Sequence, residues 1–569
     1  MTRWGPLDLG DGTWRFRLWA PDRDAVMLEI DGAAPQPMIA AHDGWFTVNA
    51  RAVDGTRYRF RLDADLAVPD PASRRQSGGV HGWSVVTALP RRTPSGWRGR
   101  PWRDMVIQEV HVGLMGGYAG VTRQLPALAE LGITGIELMP IASFGGTRGW
   151  GYDGVLPFAP QESYGTLADL RALVDAAHAS DLMIYLDVVY NHFGPDGNYL
   201  GAYASPFFHA ERDTPWGGAV AVDRPEVAAY FRENALMWLN DYGFDGLRFD
   251  AVHAIENDAF LDKLARETRA SAGADRHIHL MLENERNDAQ RLGEGGYDAQ
   301  WNDDFHNVMH VLLTGEQDAY YEDFAEQPAQ KLARCLEQGF VYQGEPSPHQ
   351  GGKPRGSPSA HLSPTAFVAF LQNHDQIGNR AMGERLTLLA DAERLRAATA
   401  MLLLIPQIPL LFMGDEIGAQ SPFPFFTDFH DELADAVREG RRREFAGFSA
   451  FASEQARAAI PDPNGPDTFE RSRVSAGPDA DDWREFYRKL LTLRHAHVVP
   501  GLDGCRSTGA QAIGPQAVSA SWRLGTGERL DMLLNLGETA VPATTPTPPL
   551  FTTGSAGAPR SLTAWIVAT

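Results

Sequence analysis

Acidic and basic side chains cluster where several apolar segments of the sequence end. They are Asp187, Asn191-His192, Arg248, Asp250, Glu283 and His374-Asp375. Arg248 and Asp250 are two residues apart, so on a β-strand they project to the same side, where the guanidinium favours the ionised carboxylate that a nucleophile needs. Glu283, at the end of the next predicted strand, would face Asp250 across a short gap. Two carboxyl groups about 5 Å apart are the arrangement that cleaves a glycosidic bond with retention of configuration.

Apolar strands and amphipathic helices alternate from about residue 103 onward, and these elements must hold the polar residues. In one predicted helix, apolar residues from Leu167 to Ala177 recur every three or four positions after Thr166, a candidate N-cap. Eight strands with helices between them favour a (β/α)8 TIM barrel, an α/β fold whose functional residues follow the strands. A doubly wound sheet is the alternative, although no glycine-rich phosphate loop follows a strand. The predicted strands are 106–112, 133–139, 183–189, 246–252, 278–283, 298–302, 367–372 and 410–413.

The two ends of the chain have a different pattern, in which short strands alternate apolar and polar residues. Tyr58, Phe60 and Leu62 alternate with Arg59 and Arg61 near the amino terminus. We therefore predict an N-terminal β-sandwich over residues 1–95, a catalytic barrel with insertions over 96–490 and a C-terminal β-sandwich over 491–569. The Pro-, Gly- and Arg-rich stretch 90–101 is predicted to be a linker.

The chain has 569 residues and a net charge of −22. Proteins that bind nucleic acids or anionic membranes present basic surfaces, because their affinity comes from Lys and Arg. The acidic balance argues against both partners and suits an enzyme with a neutral substrate. The amino terminus lacks the regions of a signal peptide, and the longest apolar run, 401–413, contains two prolines and is too short to span a bilayer. We therefore expect a cytoplasmic protein.

Four strings resemble the four signature regions of the α-amylase clan, glycoside hydrolase family 13. They are DVVYNH (187–192), GLRFDAVH (246–253), LENE (282–285) and QNHDQ (372–376). The resemblance implies that Asp250 is the nucleophile, Glu283 the general acid and base, and Asp375 the residue that stabilises the transition state. The sugar-binding positions of the −1 subsite correspond to Tyr152, His192, Arg248 and His374. Carboxylate chemistry needs no cofactor, and we expect no required metal.

Finer features resemble one subgroup of the clan, the malto-oligosyltrehalose trehalohydrolases. The strings include PDPASRRQ (69–76), TPWG (214–217), AQWNDDFH (299–306) and SPFPFFTDF (421–429). The resemblance implies hydrolysis of the α-1,4 bond next to a terminal trehalose unit of an α-glucan oligosaccharide, by a monomer or homodimer linked to a malto-oligosyltrehalose synthase. We expect further substrate contacts from Trp216, His253, Asp303 and Asp304. Trp150 and the segment 301–305 are additional candidates for stacking against sugars.

Several alternatives stay open at this point. Glu285 lies two residues after Glu283, would share its side of an extended strand, and is a rival for the acid role. A branching or debranching enzyme of the same clan would use identical catalytic residues. A glycan-binding protein without activity is a third possibility, but it would be expected to have lost at least one of the three carboxylates.

Overall fold

The structure is a computed structural model that describes residues 4–88, 96–214, 217–273, 275–293, 295–544 and 548–568. Its amino-terminal part consists of two antiparallel sheets, ordered β1-β2-β6-β5 and β4-β3-β7-β10-β9, with β8 paired to β7. The sheets pack face to face, since Phe16 of one and Tyr58 of the other lie 4.9 Å apart between ring centroids. The strands are β1 (Leu7–Asp8), β2 (Thr13–Trp19), β3 (Met27–Ile30), β4 (Gln36–Pro37), β5 (Ile39–Ala40), β6 (Trp45–Arg51), β7 (Arg57–Arg61), β8 (Ala67–Val68), β9 (Gln76–Ser77) and β10 (Trp83–Val85).

The central part contains a closed barrel of eight parallel strands, in the order β11-β12-β15-β18-β19-β20-β23-β24. All eight predicted strands are therefore present, and the TIM barrel is confirmed. Six further strands form three two-stranded hairpins in the loops. The strands of this part are β11 (Ile107–Val110), β12 (Gly135–Leu138), β13 (Ala142–Ser143), β14 (Leu156–Pro160), β15 (Met183–Val188), β16 (Phe208–Thr214), β17 (Gly217–Val220), β18 (Gly246–Phe249), β19 (His279–Leu282), β20 (Ala299–Trp301), β21 (Glu345–Ser347), β22 (Lys353–Arg355), β23 (Phe367–Ala369) and β24 (Ile408–Phe412).

Helices surround the barrel and bury their apolar faces against it. Thr166 caps the predicted helix as expected: its side chain accepts from the backbone N–H of Asp169, whose carboxylate accepts from Thr166 in return, a complete capping box. The helices are α1 (Gly117–Leu131), α2 (Leu167–Ala179), α3 (Pro225–Leu236), α4 (Asp258–Ala272), α5 (Asp303–Thr314), α6 (Glu322–Ala325), α7 (Pro328–Gln338), α8 (His374–Gly378), α9 (Leu386–Leu389), α10 (Ala392–Leu404), α11 (Asp431–Glu444), α12 (Glu454–Ala458), α13 (Pro466–Arg471) and α14 (Ala480–Leu493). Within the described ranges, no helix is long and apolar enough to cross a membrane.

The carboxyl-terminal part is an antiparallel domain, and its described strands form one five-stranded sheet in the order β25-β26-β27-β29-β28. This sheet packs on the barrel helices α7 and α10. The predicted domain boundary between residues 490 and 491 lies inside α14, because the amphipathic pattern of that helix continues to Leu493. The strands are β25 (Arg506–Gly514), β26 (Ala517–Arg523), β27 (Arg529–Asn535), β28 (Phe551–Thr552) and β29 (Ser561–Val567).

The predicted linker 90–101 falls partly outside the described residues, which resume at residue 96. Trp97 stacks on His178, with ring centroids 4.8 Å apart, and donates from Nε1 to the Asp245 carboxylate at 2.9 Å. The described end of the linker is therefore packed against the barrel.

Candidate active site

A cleft of about 560 Å³ opens at the carboxyl ends of the barrel strands. Asp250 directly follows β18, Glu283 directly follows β19, and His374 begins the short helix α8 after β23. Parallel strands end at the same face of a barrel, so residues far apart in sequence meet there. The cleft brings together eight of the predicted site residues: Tyr152, His192, Asp250, His253, Glu283, Asp303, His374 and Asp375.

Arg248 lies beneath the cleft and joins three carboxylates. Its Nη1 donates to Asp187 at 2.7 Å and to Asp250 at 2.8 Å, and its Nη2 lies 3.4 Å from Glu283. The guanidinium is fully buried and stacks over the Trp301 ring at 4.1 Å. A planar guanidinium with fixed donor directions is suited to this role. The predicted contact between Arg248 and Asp250 is present, although Asp250 lies one residue beyond the end of β18.

The backbone just after β18 and the Asn191 side chain also orient the carboxyl groups of Glu283 and Asp250. Ala251 has φ 39° and ψ 48°, a left-handed conformation that a non-glycine residue adopts at a cost of about 1–3 kcal/mol. Its N–H donates to Glu283 Oε2 at 2.6 Å. On the other side, the Asn191 amide donates to Asp250 Oδ2 at 3.1 Å. Sequence analysis missed Ala251, since nothing in the residue type signals a positive φ.

The environment of Glu283 favours its protonated form. Burial raises its pKa well above the usual value, Arg248 opposes this, and the charges of Asp250, Asp375 and Asp303 raise the pKa further. A carboxyl group that must donate a proton near neutral pH needs such a shift. Asp303 lies half-buried at the cleft wall, and desolvation of its carboxyl group raises its pKa to about 7.

The rival Glu285 has a different environment. Its side chain is 54% exposed, against 17% for Glu283. It accepts from the Gln350 amide at 3.0 Å and lies 3.6 Å from His253 Nε2. This carboxylate at the rim has no contact of the kind that Arg248 and Ala251 make with Glu283, which favours Glu283 for the acid role.

His374 and Asp375 form the opposite wall of the cleft. His374 pairs through Nδ1 with Glu109 at 2.5 Å and through Nε2 with Asp375 at 3.3 Å. Burial lowers the pKa of His374, but the two carboxylates outweigh this effect and raise it well above the usual value. Burial raises the pKa of Asp375, yet the imidazolium of His374 lowers it overall. The His374 ring also stacks on Tyr152, with centroids 4.9 Å apart.

Two other predicted substrate contacts, His192 and His253, also line the cleft. His192 pairs through Nδ1 with Asn191 Oδ1 at 2.6 Å and through Nε2 with the Tyr152 carbonyl at 3.1 Å. Burial lowers the pKa of His192 and also that of His253. Both rings face the cleft.

Some predicted contacts lie elsewhere. Asp304 is fully buried, and its carboxylate accepts from the backbone N–H groups of Val341 and Tyr342 and pairs with Arg355 at 3.0 Å. Neighbouring residues on a helix point about 100° apart, so only Asp303 of the two faces the cleft. Trp301, inside the barrel, and Phe305, on α5, are likewise buried instead of presenting faces to a sugar. Trp216 lies outside the described residues.

Sequence analysis missed residues on two further parts of the site. Glu109, on β11, holds the His374 ring and backbone; a glutamate between apolar strand residues was the available signal. The wall formed by the hairpin β21–β22 had no such signal. Ser347 and His349 of this hairpin are tied to the Asp323 carboxylate at 2.5 and 2.8 Å. Cleft residues contributed by this region are Tyr320, Asp323, Phe324, His349, Gln350 and Arg355.

The chain is similar to known proteins over most of its length. The model of the alpha amylase catalytic domain matches residues 82–214, and a domain of unknown function, DUF3459, matches residues 505–568. The chain is 41% identical to malto-oligosyltrehalose trehalohydrolase of Deinococcus radiodurans, over 86% of this chain and 82% of that protein. The protein of the same name from Saccharolobus solfataricus is 39% identical, over 84% of each chain.

Solved structures agree with the fold. A crystal structure from Salmonella typhimurium, of a protein assigned to the alpha amylases, has a TM-score of 0.93 and 45% identity, with complete coverage of both chains. A pullulanase from Anoxybacillus has a TM-score of 0.69 and 16% identity, covering 100% of this chain and 87% of its own. At that identity the likeness concerns the fold alone.

Proposed function

Because this chain belongs to the malto-oligosyltrehalose trehalohydrolases of the α-amylase clan, we propose that it hydrolyses the α-1,4-glucosidic bond next to the terminal trehalose of malto-oligosyl trehalose. The products are trehalose and a shorter malto-oligosaccharide. One observation supports this chemistry above all: a single buried guanidinium, that of Arg248, contacts both Asp250 and Glu283 at the floor of the cleft.

Asp250 is the nucleophile of the first step. Its oxygens, bound by Arg248 and Asn191, face the cleft, where one of them attacks the anomeric carbon of the glucose next to the trehalose. The bond from that carbon to the trehalose oxygen breaks, and Glu283 gives its proton to this oxygen. Trehalose leaves, and the malto-oligosaccharide stays as an ester of Asp250.

Glu283, now ionised, acts as base in the second step. It removes a proton from a water molecule, whose oxygen attacks the same anomeric carbon and displaces Asp250. The malto-oligosaccharide is released with its original configuration, and both carboxyl groups regain their starting protonation states. The contact of Glu283 with the Ala251 N–H holds the carboxyl group in place through both steps.

Asp375 and His374 stabilise the distorted sugar between these steps. The ionised Asp375 accepts hydrogen bonds from ring hydroxyls that strengthen as positive charge develops on the sugar. Glu109 and Asp375 hold His374 as an imidazolium, and its positive charge keeps Asp375 ionised beside the sugar. Tyr152, stacked on His374, supplies an apolar face beside them.

The leaving group in this reaction is trehalose, so selection for trehalose takes place on the leaving-group side of Glu283. We assign this side to His253, Glu285 and Gln350, which line the cleft together and include the carboxylate two residues after Glu283. Trehalose is joined 1,1 and bends differently from maltose, so a wall shaped for it rejects a linear α-1,4 chain in the same position.

The direct experiment is to incubate the purified protein with maltotriosyl trehalose and, separately, with maltopentaose, and to separate the products by chromatography. We expect rapid release of trehalose and maltotriose, and much slower cleavage of maltopentaose. The variant Asp250→Asn serves as the matched control, since it should release nothing at a comparable rate. If no trehalose appears while linear or branched glucans are cleaved, the proposed substrate is wrong although the clan chemistry holds.

A branching enzyme is the alternative function that one partial relative suggests. The branching enzyme of Jannaschia sp. is 32% identical, but over only 42% of this chain and 39% of its own length. New α-1,6 branches in a linear glucan, measured by debranching and chain-length analysis, would favour this alternative.

The proposed substrate requires a supplying reaction, because its terminal 1,1 linkage must first be made from the reducing end of an α-glucan. We propose that a malto-oligosyltrehalose synthase supplies it in the same compartment, the cytoplasm. The protein would act there as a monomer or homodimer.

A further inference from the structure

A carboxyl group inside the barrel has no function in the chemistry described above. Glu137 lies in the middle of β12, fully buried, in register with Glu109 on one side and Tyr185 on the other. Registered residues of parallel strands project to the same face, and Glu109 reaches His374 at the cleft. Glu137 therefore lies in the barrel interior, beneath the floor formed by Arg248.

Neither oxygen of Glu137 has a hydrogen-bond partner among the described residues. Its neighbours differ in this respect. Glu109 accepts from the backbone N–H and ring of His374, and Asp187 accepts through Oδ2 from Arg248 and Tyr152. An ionised carboxylate without a partner in a protein interior costs several kcal/mol, whereas the protonated group avoids most of that cost.

The buried atoms that lack partners around Glu137 are complementary in type. Asp187 Oδ1 is an acceptor, and Arg248 Nε–H is a donor. Arg248 Nη2 also lacks a hydrogen bond, but it lies 3.4 Å from the Glu283 carboxyl group. Asp187 and Arg248 both interact electrostatically with Glu137. A protonated Glu137 has one O–H donor and one carbonyl acceptor, which match these two needs, directly or through one enclosed water.

We propose that Glu137 is a positioning residue that holds one proton shared with Asp187 and thereby fixes Arg248 beneath Asp250 and Glu283. Glu137 holds this proton because Asp187 has Arg248 and Tyr152 to stabilise its negative charge, and Glu137 has neither contact. The inference rests on the roles proposed for Asp250 and Glu283, which act through the guanidinium that Glu137 supports.

The protonation state of Glu137 matters because of the charges that face it. These groups are Glu109 from β11, Tyr185 and Asp187 from β15, Arg248 from β18 and His374 from α8. Burial raises the pKa of Glu137 well above the usual value, the charges of Glu109 and Asp187 raise it further, and those of Arg248 and His374 oppose them. An ionised Glu137 would weaken the field of Arg248 on Glu283 and Asp250.

Infrared difference spectroscopy tests the proton directly. The spectrum of wild type minus Glu137→Gln, at neutral pH and without substrate, should contain the C=O stretch of a protonated carboxylic acid, shifted in D2O. Absence of this band, with a carboxylate band in its place, would overturn the proposal. The measurement needs no turnover, so its outcome is independent of whether trehalose is released.

Kinetics of two variants test the positioning role on maltotriosyl trehalose. Glu137→Met has a similar volume but no hydrogen-bonding groups, so Asp187 and Arg248 lose a partner, and we expect kcat to fall about tenfold with little change in KM. Glu137→Gln imitates the protonated acid and should recover most of this loss with an unchanged pH profile. Met281→Leu, an apolar exchange inside the same barrel, is the matched control and should have wild-type kcat.

Two kinetic results would contradict the proposal. One is a Glu137→Met enzyme with wild-type kcat. The other is a shift of the alkaline limb of kcat/KM in Glu137→Gln, because removal of a real negative charge near Arg248 would lower the pKa of Glu283. Circular dichroism of both variants identifies any failure to fold. If Glu137→Met does not fold, the infrared band and the pH profile of Glu137→Gln, which keeps the size and hydrogen-bonding groups of the protonated acid, decide the question.

Discussion

The barrel interior contains two layers built from the same strands, and they differ completely in chemistry. The apolar layer is formed by Ile107, Tyr185, Met281 and Leu410, together with Ile408, all packed in one buried cluster. The polar layer is formed by Glu109, Asp187, Arg248 and Glu283. Three strands contribute to both layers with residues two positions apart: Ile107 and Glu109, Tyr185 and Asp187, and Met281 and Glu283.

Residues two positions apart on one strand thus contribute separately, one to stability and the other to function. Residues of the apolar layer act by filling space, so similar volumes are interchangeable there. Residues of the polar layer act through individual oxygen and nitrogen atoms at fixed distances, so an exchange that preserves volume still removes the function. Variants in each layer test this difference.

Asp250→Asn should have the largest effect. The side chain keeps its volume but loses the nucleophilic charge, and we expect kcat to fall by about 10⁴-fold or more, measured as trehalose release from maltotriosyl trehalose. The melting temperature should change little. Near wild-type kcat in this variant would show that Asp250 is not the nucleophile. It would also contradict the proposed separation of function and packing between the two layers.

Glu283→Gln should lower kcat by about 10³-fold, because the proposed general acid is lost while the steric fit is retained. Glu285→Gln is the matched control, since it makes the same exchange two residues further along the chain. We expect this control to affect mainly KM through its place at the rim. The opposite ranking of the two variants would assign the acid role to Glu285.

The pH profile should be limited on its alkaline side by Glu283. The reaction needs the protonated form, and burial raises the pKa of this group, so kcat/KM should hold above the ordinary carboxyl range and fall about tenfold per pH unit beyond the raised pKa. Asp303→Asn removes a charge that raises the pKa of Glu283 and should move this limb to lower pH by up to about one unit.

An alkaline limb at the ordinary carboxyl pKa would contradict this prediction, as would a limb that Asp303→Asn leaves in place. Glu285→Gln is again the control, because Glu285 is not among the charges that shift Glu283.

The fold could be predicted from sequence because each barrel strand is short, apolar and followed by a helix. The eight predicted strands overlap the observed ones, and the arrangement of Arg248, Asp250 and Glu283 followed from a period of two and from the order of strands. These are local properties of the chain. They can be predicted without knowing which loops lie next to each other.

The remaining parts of the site depend on contacts between distant segments. Asp303 and Asp304 are indistinguishable in sequence, and only the direction of each side chain at the start of α5 separates a cleft residue from an anchor for Val341. The cleft wall from Tyr320 to Arg355 belongs to the segment between α5 and β23. In this segment the Asp323 carboxylate accepts hydrogen bonds from Ser347 and from the backbone of His349. The positive φ of Ala251 has no sequence signature. Glu137, like Glu109, stands between apolar strand residues, but the sequence does not indicate that its carboxyl group lacks a hydrogen-bond partner.

Ile408→Val, a substitution in the apolar layer, should have the smallest effect on activity. Ile408 is fully buried in the apolar layer, and loss of one methylene should lower the free energy of unfolding by about 1 kcal/mol, measured by denaturant titration. The kcat per folded molecule should stay at the wild-type value, because no polar atom beneath Asp250 moves. A fall in kcat comparable to that of Glu137→Met would mean that packing in the apolar layer transmits directly to Arg248, and the separation of the two layers would then be wrong.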